Sequence, residues 1–266
     1  MWKVSLLVTT YNARENLKIT LESIKQQDYA CVEVIIVDGQ SQDGTVDIIR
    51  AFAEKYGSST ACANREGTTG EVSAAADSAI TVKWISEPDN GLYDAMNKAW
   101  RMCSGDIVAV CNDRLCTSDA ITKLVRAIAQ GGEGCIGSHA DLVYVEGERI
   151  IRTWHMGEGR LADGWLPGHP TLFLKREVYE KYGVYDTRYK CAADYEFMVR
   201  FLKDEKNRLA YVPERLVSMF YGGTSNAGLK NYLVSFWEGY MALRRHSVRY
   251  PMWITLKRTI LVLRQF

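Results

Sequence analysis

The sequence lacks the cysteine pairs that would indicate a disulfide framework or a structural zinc site. It has seven cysteines, an odd number, and no two of them have C-x-x-C spacing. Several lie inside apolar runs, so we interpret them as thiols of a reducing compartment. The first residues also lack the charged, apolar and small-residue regions of a secretory signal. These absences exclude a secreted disulfide scaffold and predict a cytoplasmic protein.

No stretch of the sequence is long and apolar enough to span a bilayer. The last predicted helix, from Pro251, has about 15 residues and carries charges in its interior, whereas a spanning helix needs about 20 mostly apolar residues. Hydrophobic residues make up 47% and charged residues 24% of the 266 residues, as in globular proteins. P-loop, H-E-x-x-H and G-x-S-x-G patterns are also absent, which argues against the enzyme classes that those motifs mark.

Acidic residues are absent after Glu238. The chain beyond Glu238 carries a charge of +6 and the preceding chain −5, within a net charge of +1. The last helix combines apolar residues at helical spacing with basic ones: Trp253, Leu256, Ile260 and Leu263 with Lys257, Arg258 and Arg264. This pattern predicts an interfacial helix on an anionic membrane surface. The alternative is packing on its own domain or on a second subunit, as in a homodimer.

Apolar strands alternate with amphipathic helices in the first half of the sequence. The strands are predicted at 4–8, 32–37, 82–85 and 107–111. The order strand, helix, strand, helix predicts right-handed crossovers and a mostly parallel sheet. The segment 57–79 interrupts this order because it is rich in small residues and has no clear period. We predict a mobile surface insertion there.

The second half predicts a mixed arrangement of strands and helices. A strand at 135–139 precedes a hairpin with Gly147 in its turn, and a strand at 171–174 follows. Amphipathic helices are predicted at 193–202 and 229–241 and from Pro251. The predicted fold class is therefore α/β, with a mostly parallel sheet, a mixed second half and amphipathic helices at the C-terminus.

Polar residues follow all four predicted strands of the first half, at the point where each strand ends. In chain order these groups contain Thr9, Tyr11 and Asn12; Asp38; Glu87, Asp89 and Gly91; and Asn112, Asp113 and Arg114. In open α/β sheets, ligands bind at the carboxyl ends of the strands. The alternative for each group is an ordinary loop whose polar residues are solvated or cap a helix.

Several of these residues suggest particular chemistry. A carboxylate at Asp38 can accept hydrogen bonds from a nucleoside base or ribose. Carboxylates converging from Glu87, Asp89 and Asp113 suit Mg²⁺ or Mn²⁺. Such an ion would neutralise a diphosphate leaving group as a Lewis acid. The strand ends therefore predict a site for a nucleotide bearing phosphates.

Asp194 is the candidate general base. It lies near the start of a predicted helix and shares a face with Phe197 and Phe201. The helix N-terminus favours the ionised carboxylate, which suits a base facing an acceptor hydroxyl. The alternative is a capping aspartate. His169, in a loop between two prolines, is a candidate acceptor-binding group or an ordinary loop histidine.

Taken together, these motifs resemble the family 2 inverting glycosyltransferases, which have the GT-A fold, especially bacterial members that assemble polysaccharides. The resemblance spans roughly residues 3 to 225. The matching motifs are Val8-Thr9-Thr10-Tyr11-Asn12, Val37-Asp38-Gly39, Ser41-Gln42-Asp43-Gly44-Thr45, Ser86-Glu87-Pro88-Asp89-Asn90-Gly91, Tyr93-Asp94-Ala95-Met96-Asn97-Lys98, Gly105-Asp106, Gly168-His169-Pro170, Lys175-Arg176 and Ala193-Asp194-Tyr195-Glu196.

The resemblance implies a nucleotide-diphospho-sugar donor lying over the strand ends, and it suggests a lipid-linked saccharide acceptor. Asp194 matches the family's base, which deprotonates the acceptor hydroxyl for in-line attack on the anomeric carbon. Asp113 falls near an Mg²⁺ or Mn²⁺ ion. The implied donor residues are Thr9, Tyr11, Asn12, Asp38, Glu87, Asp89, Gly91, Asp94, Asn112 and Arg114, and those on the acceptor side are His169, Tyr195 and Glu196.

The resemblance also implies a domain organisation. A GT-A domain covers 1–225, with a donor half at about 1–115 and an acceptor half at about 116–225, and basic amphipathic helices cover 226–266. The predicted activity is sugar transfer in cell-surface polysaccharide synthesis, at the inner face of the cytoplasmic membrane. No nucleic-acid partner is predicted.

The chain departs from the family after the fourth strand. The family usually has Asn-Ser-Asp-Asp there, whereas this chain has Asn112-Asp113-Arg114-Leu115. A second acidic ligand is missing, and Arg114 could supply part of a cation's charge. The alternative function is a catalytically degenerate member that binds a sugar nucleotide. A nucleotidyltransferase is disfavoured because it would need a glycine-rich, basic loop directly after the first strand.

Overall fold

A computed structural model of the chain describes residues 1–56, 60–64, 67–72, 80–220 and 228–263. The chain forms two compact units. The first contains Met1–Val125 and Phe173–Arg176, and the second contains Arg126–Leu172 and Glu177–Phe266. The last two helices belong to the second unit, and the domain boundaries at about 115 and 225 stay a prediction.

The order of strands and helices in the first half follows the prediction. Its elements are β1 (Val4–Thr10), α1 (Arg14–Lys25), β2 (Val32–Asp38), α2 (Thr45–Tyr56), β3 (Thr60–Asn64), β4 (Gly67–Val72), β5 (Ile80–Ser86), α3 (Leu92–Met102), β6 (Ile107–Val110), β7 (Arg114–Leu115) and α4 (Ala120–Gln130). The later elements are β8 (Cys135–Glu146), β9 (Arg149–Trp154), β10 (Phe173–Lys175), α5 (Arg176–Tyr182), α6 (Ala193–Leu202), β11 (Arg208–Phe220), α7 (Gly228–Arg245) and α8 (Pro251–Leu263).

The first unit is built on a sheet with the strand order β3-β4-β5-β2-β1-β6-β10. β5, β2, β1 and β6 are parallel, which confirms the predicted parallel sheet. β3 and β4 extend one edge and β10 the other, each pairing antiparallel with its neighbour. β2 and β6 lie on opposite sides of β1, so the strand order reverses between β1 and β6. Such a switch point is where open α/β sheets bind ligands.

The central strands form the core of the first unit. Every residue of β1, β2 and β6 is buried. Their nearly continuous runs of valine, isoleucine and leucine are typical of parallel strands that are covered on both faces. α3 packs on β1 and β2, and α2 packs on β5. This packing fixes the strand ends that carry the polar residues.

A buried carboxylate, Glu33 on β2, lies inside this apolar core. It accepts hydrogen bonds from Ser5 Oγ at 2.6 Å and from Ser104 N at 2.7 Å. The ammonium groups of Lys3 and Lys83 each lie 3.1 Å from Glu33 Oε1. Burial alone would raise the pKa of Glu33, but these partners together lower it to about 2. Glu33 is therefore ionised and links three segments of the first unit.

The segment 57–79 contains regular structure that the sequence did not predict. Its described residues form β3 and β4, which pair with each other, and β4 also pairs with β5. Edge strands need less apolar surface than central ones. The segment is rich in glycine, serine and threonine, so its composition did not indicate the two strands of this hairpin. The prediction of mobility falls in part on 57–59, 65–66 and 73–79, which lie outside the described residues.

The second unit combines strands with the C-terminal helices. β8 pairs antiparallel with β9 and parallel with β11. The predicted hairpin is present, with Gly147 at a φ of 60° in its turn. The strand predicted at 135–139 continues to Glu146 as a single element. α6 packs against α7, and α7 packs against α8.

β11 was not predicted from the sequence. Pro213 and the charged residues Glu214 and Arg215 interrupt its apolar alternation. The pairing with β8 shifts register on both sides of Arg215. A proline inside a run argues against a strand, and a bulge breaks the period of two on which such predictions depend.

Candidate active site

The polar residues at the ends of the parallel strands lie side by side in the first unit. In the strand register, Thr10 lies opposite Asp38, and Asp38 lies opposite Ser86. Gly39 N then donates to Thr10 O at 2.9 Å, and Glu87 N donates to Asp38 O at 3.0 Å. The loops after β1, β2 and β5 therefore leave the sheet at one edge, as expected for a ligand site.

A reciprocal pair of hydrogen bonds joins the ends of β1 and β6 at the switch point. Thr9 N donates to Asn112 Oδ1 at 2.7 Å, and Asn112 Nδ2 donates to Thr9 Oγ1 at 2.8 Å. The hydroxyl of Thr20 donates to Asn112 O at 3.2 Å. Thr9 and Asn112 thus hold the two strand ends together beneath the site.

Asp38 is fully buried and organises the loop that follows β2. Its Oδ2 accepts hydrogen bonds from Ser41 N at 2.9 Å and from Ser86 Oγ at 2.7 Å. Its Oδ1 accepts from Ser41 Oγ. Through these three hydrogen bonds, Asp38 fixes this loop and ties it to β5. Its contact with a nucleoside stays a prediction.

Tyr11 and Asp89 both lie against Gly39. A β-carbon added at position 39 would lie 2.7 Å from Asp89 Oδ2 and 3.2 Å from Tyr11 Cδ2. Glycine is therefore needed for this close approach. Tyr11 is 64% exposed, and Asp89 Oδ1 accepts a hydrogen bond from Gly91 N at 2.8 Å. An exposed ring beside a carboxylate suits a flat base that carries hydrogen-bond donors.

Asn12 joins the loop after β1 to the loop after β2. Its N–H donates to Ser41 Oγ at 2.7 Å, and its Oδ1 accepts from Gln42 N at 2.9 Å. Its φ is 46°, in the left-handed region that asparagine tolerates better than most residues. Asn12 therefore shapes the edge of the site, whether or not it also touches a ligand.

Glu87 and Asp94 are joined through Lys98. The ammonium group of Lys98 lies 2.8 Å from Glu87 Oε1 and 3.9 Å from Asp94 Oδ2. Asp94 Oδ2 also accepts from Asn90 N at 3.0 Å. Gly91 enters α3 at a φ of 104°, where a side chain would be strained. These contacts fix the loop between β5 and α3.

The expected convergence of carboxylates on one cation is not found. Within the described ranges, no three or more histidine, cysteine, aspartate or glutamate side chains are grouped as metal ligands. Glu87 is paired with Lys98, and Asp89 holds Gly91. Asp113, three residues after the end of β6, is half-buried, and Arg114 beside it is exposed. The role of Asp113 in binding a metal ion stays a prediction.

Asp194 is a partly exposed residue on an otherwise buried helix in the second unit. From Ala193 to Val199, every residue of α6 except Asp194 is buried. Phe197 and Phe201 are fully enclosed and pack edge to face with each other, 5.3 Å between centroids. The predicted helix is confirmed, and its first turn presents one carboxylate at the surface of this unit.

His169 lies within the electrostatic reach of Asp194. Its Nε2 is 2.8 Å from Tyr185 Oη. Desolvation lowers the pKa of His169, and the negative charge of Asp194 opposes that effect. At neutral pH the imidazole is therefore uncharged and can exchange a hydrogen bond with Tyr185. The structure thus brings together two of the predicted residues of the second unit.

Tyr195 and Glu196 are buried inside the second unit. The guanidinium carbon of Arg258 lies 4.1 Å from the centre of the Tyr195 ring. Glu196 Oε1 lies 2.6 Å from His246 Nε2, and its Oε2 lies 3.1 Å from Arg200. Both side chains are thus engaged with the protein around α6. Their predicted contact with an acceptor stays a prediction.

Sequence reasoning missed the residues that hold the site loops in place. They are Ser41, Ser86, Lys98 and Tyr185. Ser41, Ser86 and Lys98 lie inside motifs that were recognised, next to residues whose chemical role is more obvious. A hydroxyl residue three places after a buried aspartate was the available signal for Ser41, because such a pair commonly closes a turn.

The fold and the strand-end site together define the class of protein. A parallel sheet with a switch point, antiparallel edges and an ordered polar edge is the α/β architecture of GT-A glycosyltransferases. Comparison with known proteins assigns the family. Residues 5–199 match Glycosyl transferase family 2, and the chain belongs to that family. It is therefore an enzyme of the glycosyltransferase type.

One relative is similar in sequence, and one solved structure is similar in fold. The chain is 27% identical over 233 residues to a PGL/p-HBAD biosynthesis glycosyltransferase of Mycobacterium bovis, covering 84% of this chain and 78% of the relative. S. aureus TarS 1-349, solved with UDP-GlcNAc, is similar with a TM-score of 0.67 and 16% identity, covering 97% of this chain and 71% of TarS.

A second solved structure has the same fold. The mannosyltransferase PcManGT from Pyrobaculum calidifontis, solved with GDP-Man and Mn²⁺, has a TM-score of 0.59 and 16% identity. The similarity covers 98% of this chain and 74% of that one. At this identity the two structures bear on the fold alone, and they confirm the predicted α/β fold of the GT-A type.

Proposed function

We propose that the enzyme transfers a sugar from a nucleotide-diphospho-sugar to a hydroxyl of a saccharide acceptor, with inversion at the anomeric carbon. The observation that carries this proposal is the ordered strand edge of the first unit, where Tyr11 and Asp89 meet over Gly39. The solved relatives bound to UDP-GlcNAc and GDP-Man support a nucleotide-sugar donor. The alternative is a member of the family that binds such a donor without turnover.

The donor's nucleoside is proposed to lie against Tyr11 and Asp89. Stacking of a base on an exposed aromatic ring contributes about 1–3 kcal/mol. A carboxylate beside the ring can accept hydrogen bonds from the ribose or the base. Because Asp38 is already bonded to Ser41 and Ser86, its main contribution is to keep this loop in place before the donor arrives.

Asp194 is the proposed general base. The acceptor hydroxyl gives its proton to the Asp194 carboxylate as its oxygen attacks the anomeric carbon. The bond from that carbon to the diphosphate oxygen breaks, and the nucleoside diphosphate leaves with the electron pair. A single displacement of this kind inverts the anomeric centre. The partly exposed position of Asp194 on a rigid, buried helix suits this role, since a base must be held firmly and remain reachable.

Asp113 is the residue that would hold a divalent cation. Mg²⁺ is commonly bound by one or two protein carboxylates together with substrate phosphates. A single aspartate at the switch point therefore fits an ion that the diphosphate helps to bind. When bound, Mg²⁺ or Mn²⁺ supplies Lewis-acid stabilisation of the leaving diphosphate. The exposed guanidinium of Arg114 can add positive charge beside the same phosphates.

A thermal-shift screen of sugar nucleotides tests donor binding and the role of Asp113. A donor at 100 times its Kd stabilises the folded state by about 2.7 kcal/mol, so we expect a shift of about 5–10 °C for one class of donor. Asp113→Ala should remove the part of that shift which depends on Mn²⁺. Asp119→Ala is the control, because Asp119 is paired with Lys123 at 3.0 Å.

The outcomes separate the functional alternatives. Release of free sugar or transfer to an acceptor, in samples that contain the stabilising donor, supports the proposed enzyme. Stabilisation without either reaction supports a degenerate donor-binding protein. If Asp113→Ala behaves like wild type with and without Mn²⁺, Asp113 does not bind the ion, and a site that relies on Arg114 is favoured.

The acceptor is proposed to be lipid-linked and part of cell-surface polysaccharide synthesis, with α8 resting on an anionic membrane surface. Trp253, Leu256 and Ile260 are 61%, 42% and 50% exposed along one side of α8. Ile254 and Thr255, on its other side, are buried in the second unit. The helix therefore packs on its own domain and still presents an apolar face outward. Among the described helices, none is both long and apolar enough to cross a membrane.

The positive charge near α8 favours an anionic membrane as the surface that binds its exposed apolar face. Arg249 and Lys257 flank the exposed apolar residues, and the chain has no acidic residue beyond Glu238. Each basic residue near an anionic bilayer contributes about 1 kcal/mol. Part of this positive charge is paired within the protein, because Lys257 lies 3.5 Å from Asp163. Arg264, also predicted to contribute, lies outside the described residues.

Co-sedimentation with vesicles tests the membrane proposal. We expect binding to vesicles that contain anionic lipid, weaker binding at high salt, and a loss of about tenfold or more in affinity for Trp253→Ser with Leu256→Ser. Ile150→Ser is the matched control, since Ile150 is 51% exposed on β9. Concentration-dependent self-association without vesicle binding would instead assign the apolar face to a second copy of the chain.

A further inference from the structure

The helix that carries Asp194 begins without a cap of its own. Its N-cap residue is Ala192, whose side chain cannot accept a hydrogen bond. The first turn of a helix exposes backbone N–H groups that need partners, and its N-terminus has a partial positive charge. A buried helix start without acceptors would be unstable. The N–H of Ala192 finds its acceptor elsewhere in the second unit.

Glu238 on α7 accepts hydrogen bonds from the backbone that leads into α6. Its Oε1 accepts a hydrogen bond from Lys190 N at 2.8 Å. Its Oε2 accepts from Cys191 N at 2.9 Å and from Ala192 N at 3.0 Å. Three consecutive backbone N–H groups therefore point at one carboxylate. This arrangement fixes the path of the chain as it enters α6, two residues before Asp194.

The charges of Glu238 and Asp194 both act on the thiol of Cys191. Burial raises the pKa of Cys191, and the negative charges of Glu238 and Asp194 raise it further. Glu238 therefore lies beside the start of α6 as a charge and as a hydrogen-bond acceptor. It is also the last acidic residue of the chain, so α7 and α8 offer no substitute for it.

The next residue, Gly239, lies beside Arg258 and Tyr195. A β-carbon added at position 239 would lie 2.8 Å from Arg258 Nη1 and 3.6 Å from Tyr195 Cε1. Arg258 in turn stacks over the Tyr195 ring. Two consecutive residues of α7 thus lie against neighbouring elements. Glu238 contacts the chain just before α6, and Gly239 lies beside Arg258 of α8. Further along the chain, His246 contacts Glu196.

We infer that Glu238 is a positioning residue for Asp194, and that α7 thereby contributes to catalysis. The inference rests on the proposed function, in which Asp194 is the base. Glu238 holds the 190–192 backbone, and this backbone sets where the first turn of α6 places the Asp194 carboxylate. It touches neither donor nor acceptor in this role. A displacement of about 1 Å in a reacting group can reduce turnover about 100-fold.

Steady-state kinetics of Glu238→Ala test the inference. We expect kcat for transfer to fall about 10- to 100-fold, with the KM for the donor within about twofold of wild type, since donor residues belong to the first unit. Glu238→Gln keeps the size of the side chain and one carbonyl acceptor, so its kcat should lie between the two. Glu205→Ala, which removes an exposed carboxylate of the same unit, should match wild type.

A double-mutant cycle separates positioning from a general loss of structure. If Glu238 acts through Asp194, adding Glu238→Ala to Asp194→Asn should leave the residual rate unchanged to within about twofold. A merely structural role would lower the rate in both backgrounds and would reduce the donor-induced thermal shift. Either of these two results overturns the inference. If Glu238→Ala does not fold, the same cycle is run with Glu238→Gln.

Different results would overturn the proposed function and the role of Glu238. A wild-type protein that transfers no sugar, or an Asp194→Asn protein with full turnover, overturns the proposed function and this inference with it. Normal kcat in folded Glu238→Ala and Glu238→Gln proteins, together with an inactive Asp194→Asn protein, overturns the inference alone. A lower kcat with an unchanged donor KM and a non-additive cycle supports it.

Discussion

Asp194→Asn is expected to lower the turnover of sugar transfer by about 100-fold or more while leaving donor binding nearly unchanged. The substitution is almost isosteric and removes the group that accepts the proton. Because Asp194 belongs to the second unit and the proposed donor residues to the first, the donor should raise the melting temperature of both proteins equally. Product formation and donor-induced thermal shift are the two measurements.

A matched control separates loss of the base from loss of a surface charge. Glu205→Gln makes the same change from carboxylate to amide at an exposed position of the second unit and should keep wild-type turnover. Near wild-type turnover in Asp194→Asn would show that another group takes the proton. Equal loss of donor binding would show that Asp194 contributes to the donor site instead.

Glu33→Ala is expected to destabilise the first unit by about 3–5 kcal/mol at neutral pH, the usual cost of removing one partner from a buried ionic cluster. Glu33 is completely buried. Its removal leaves Ser5 Oγ and Ser104 N without this acceptor, and it leaves the ammonium groups of Lys3 and Lys83 without their carboxylate. Chemical denaturation at neutral pH measures the loss.

The effect should depend on pH in a defined direction. The pKa of Glu33 is lowered from 4.5 to about 2 by folding, so its charged form stabilises the native state fully above about pH 4.5. That stabilisation, about 3 kcal/mol, is lost as the pH falls toward 2. The difference between wild type and variant should therefore shrink between pH 5 and pH 2.

An exposed glutamate provides the comparison for this prediction. Glu15 has a side chain that is 78% exposed and lies 3.8 Å from Arg14. Exposed ion pairs contribute about 0–1 kcal/mol, so Glu15→Ala should change the unfolding free energy by less than 1 kcal/mol. A Glu33→Ala protein as stable as Glu15→Ala would show that the buried cluster adds no net stability.

The parallel core and the positions of the candidate residues were predictable because both depend on strong local patterns. Continuous apolar runs can be buried on both faces, so they identified β1, β2, β5 and β6. Since parallel strands end at one edge, Asp38 and Asp89 could be placed together before any coordinates were known. The helix of Asp194 followed from its apolar spacing.

The parts that could not be predicted depend on contacts between residues far apart in sequence. Nothing near Asp38 specifies that Ser86, 48 residues later, completes its hydrogen bonds. Lys98 pairs with Glu87 on the other side of a turn, and no local pattern indicates this pairing. β11 was missed because a proline and charged residues interrupt its apolar alternation. Its pairing with β8, far away in the sequence, stabilises the strand in spite of them.

The position of β10 constrains the order in which the chain can fold. β10 pairs antiparallel with β6 through Phe173, Leu174 and Lys175, although the rest of the first unit ends at Val125. During synthesis, β6 therefore keeps an open edge until about fifty more residues have emerged from the ribosome. An unpaired, wholly apolar strand edge invites intermolecular pairing. A fragment that stops at Val125 should therefore aggregate, whereas a separately supplied β10 peptide should bind it and keep it in solution.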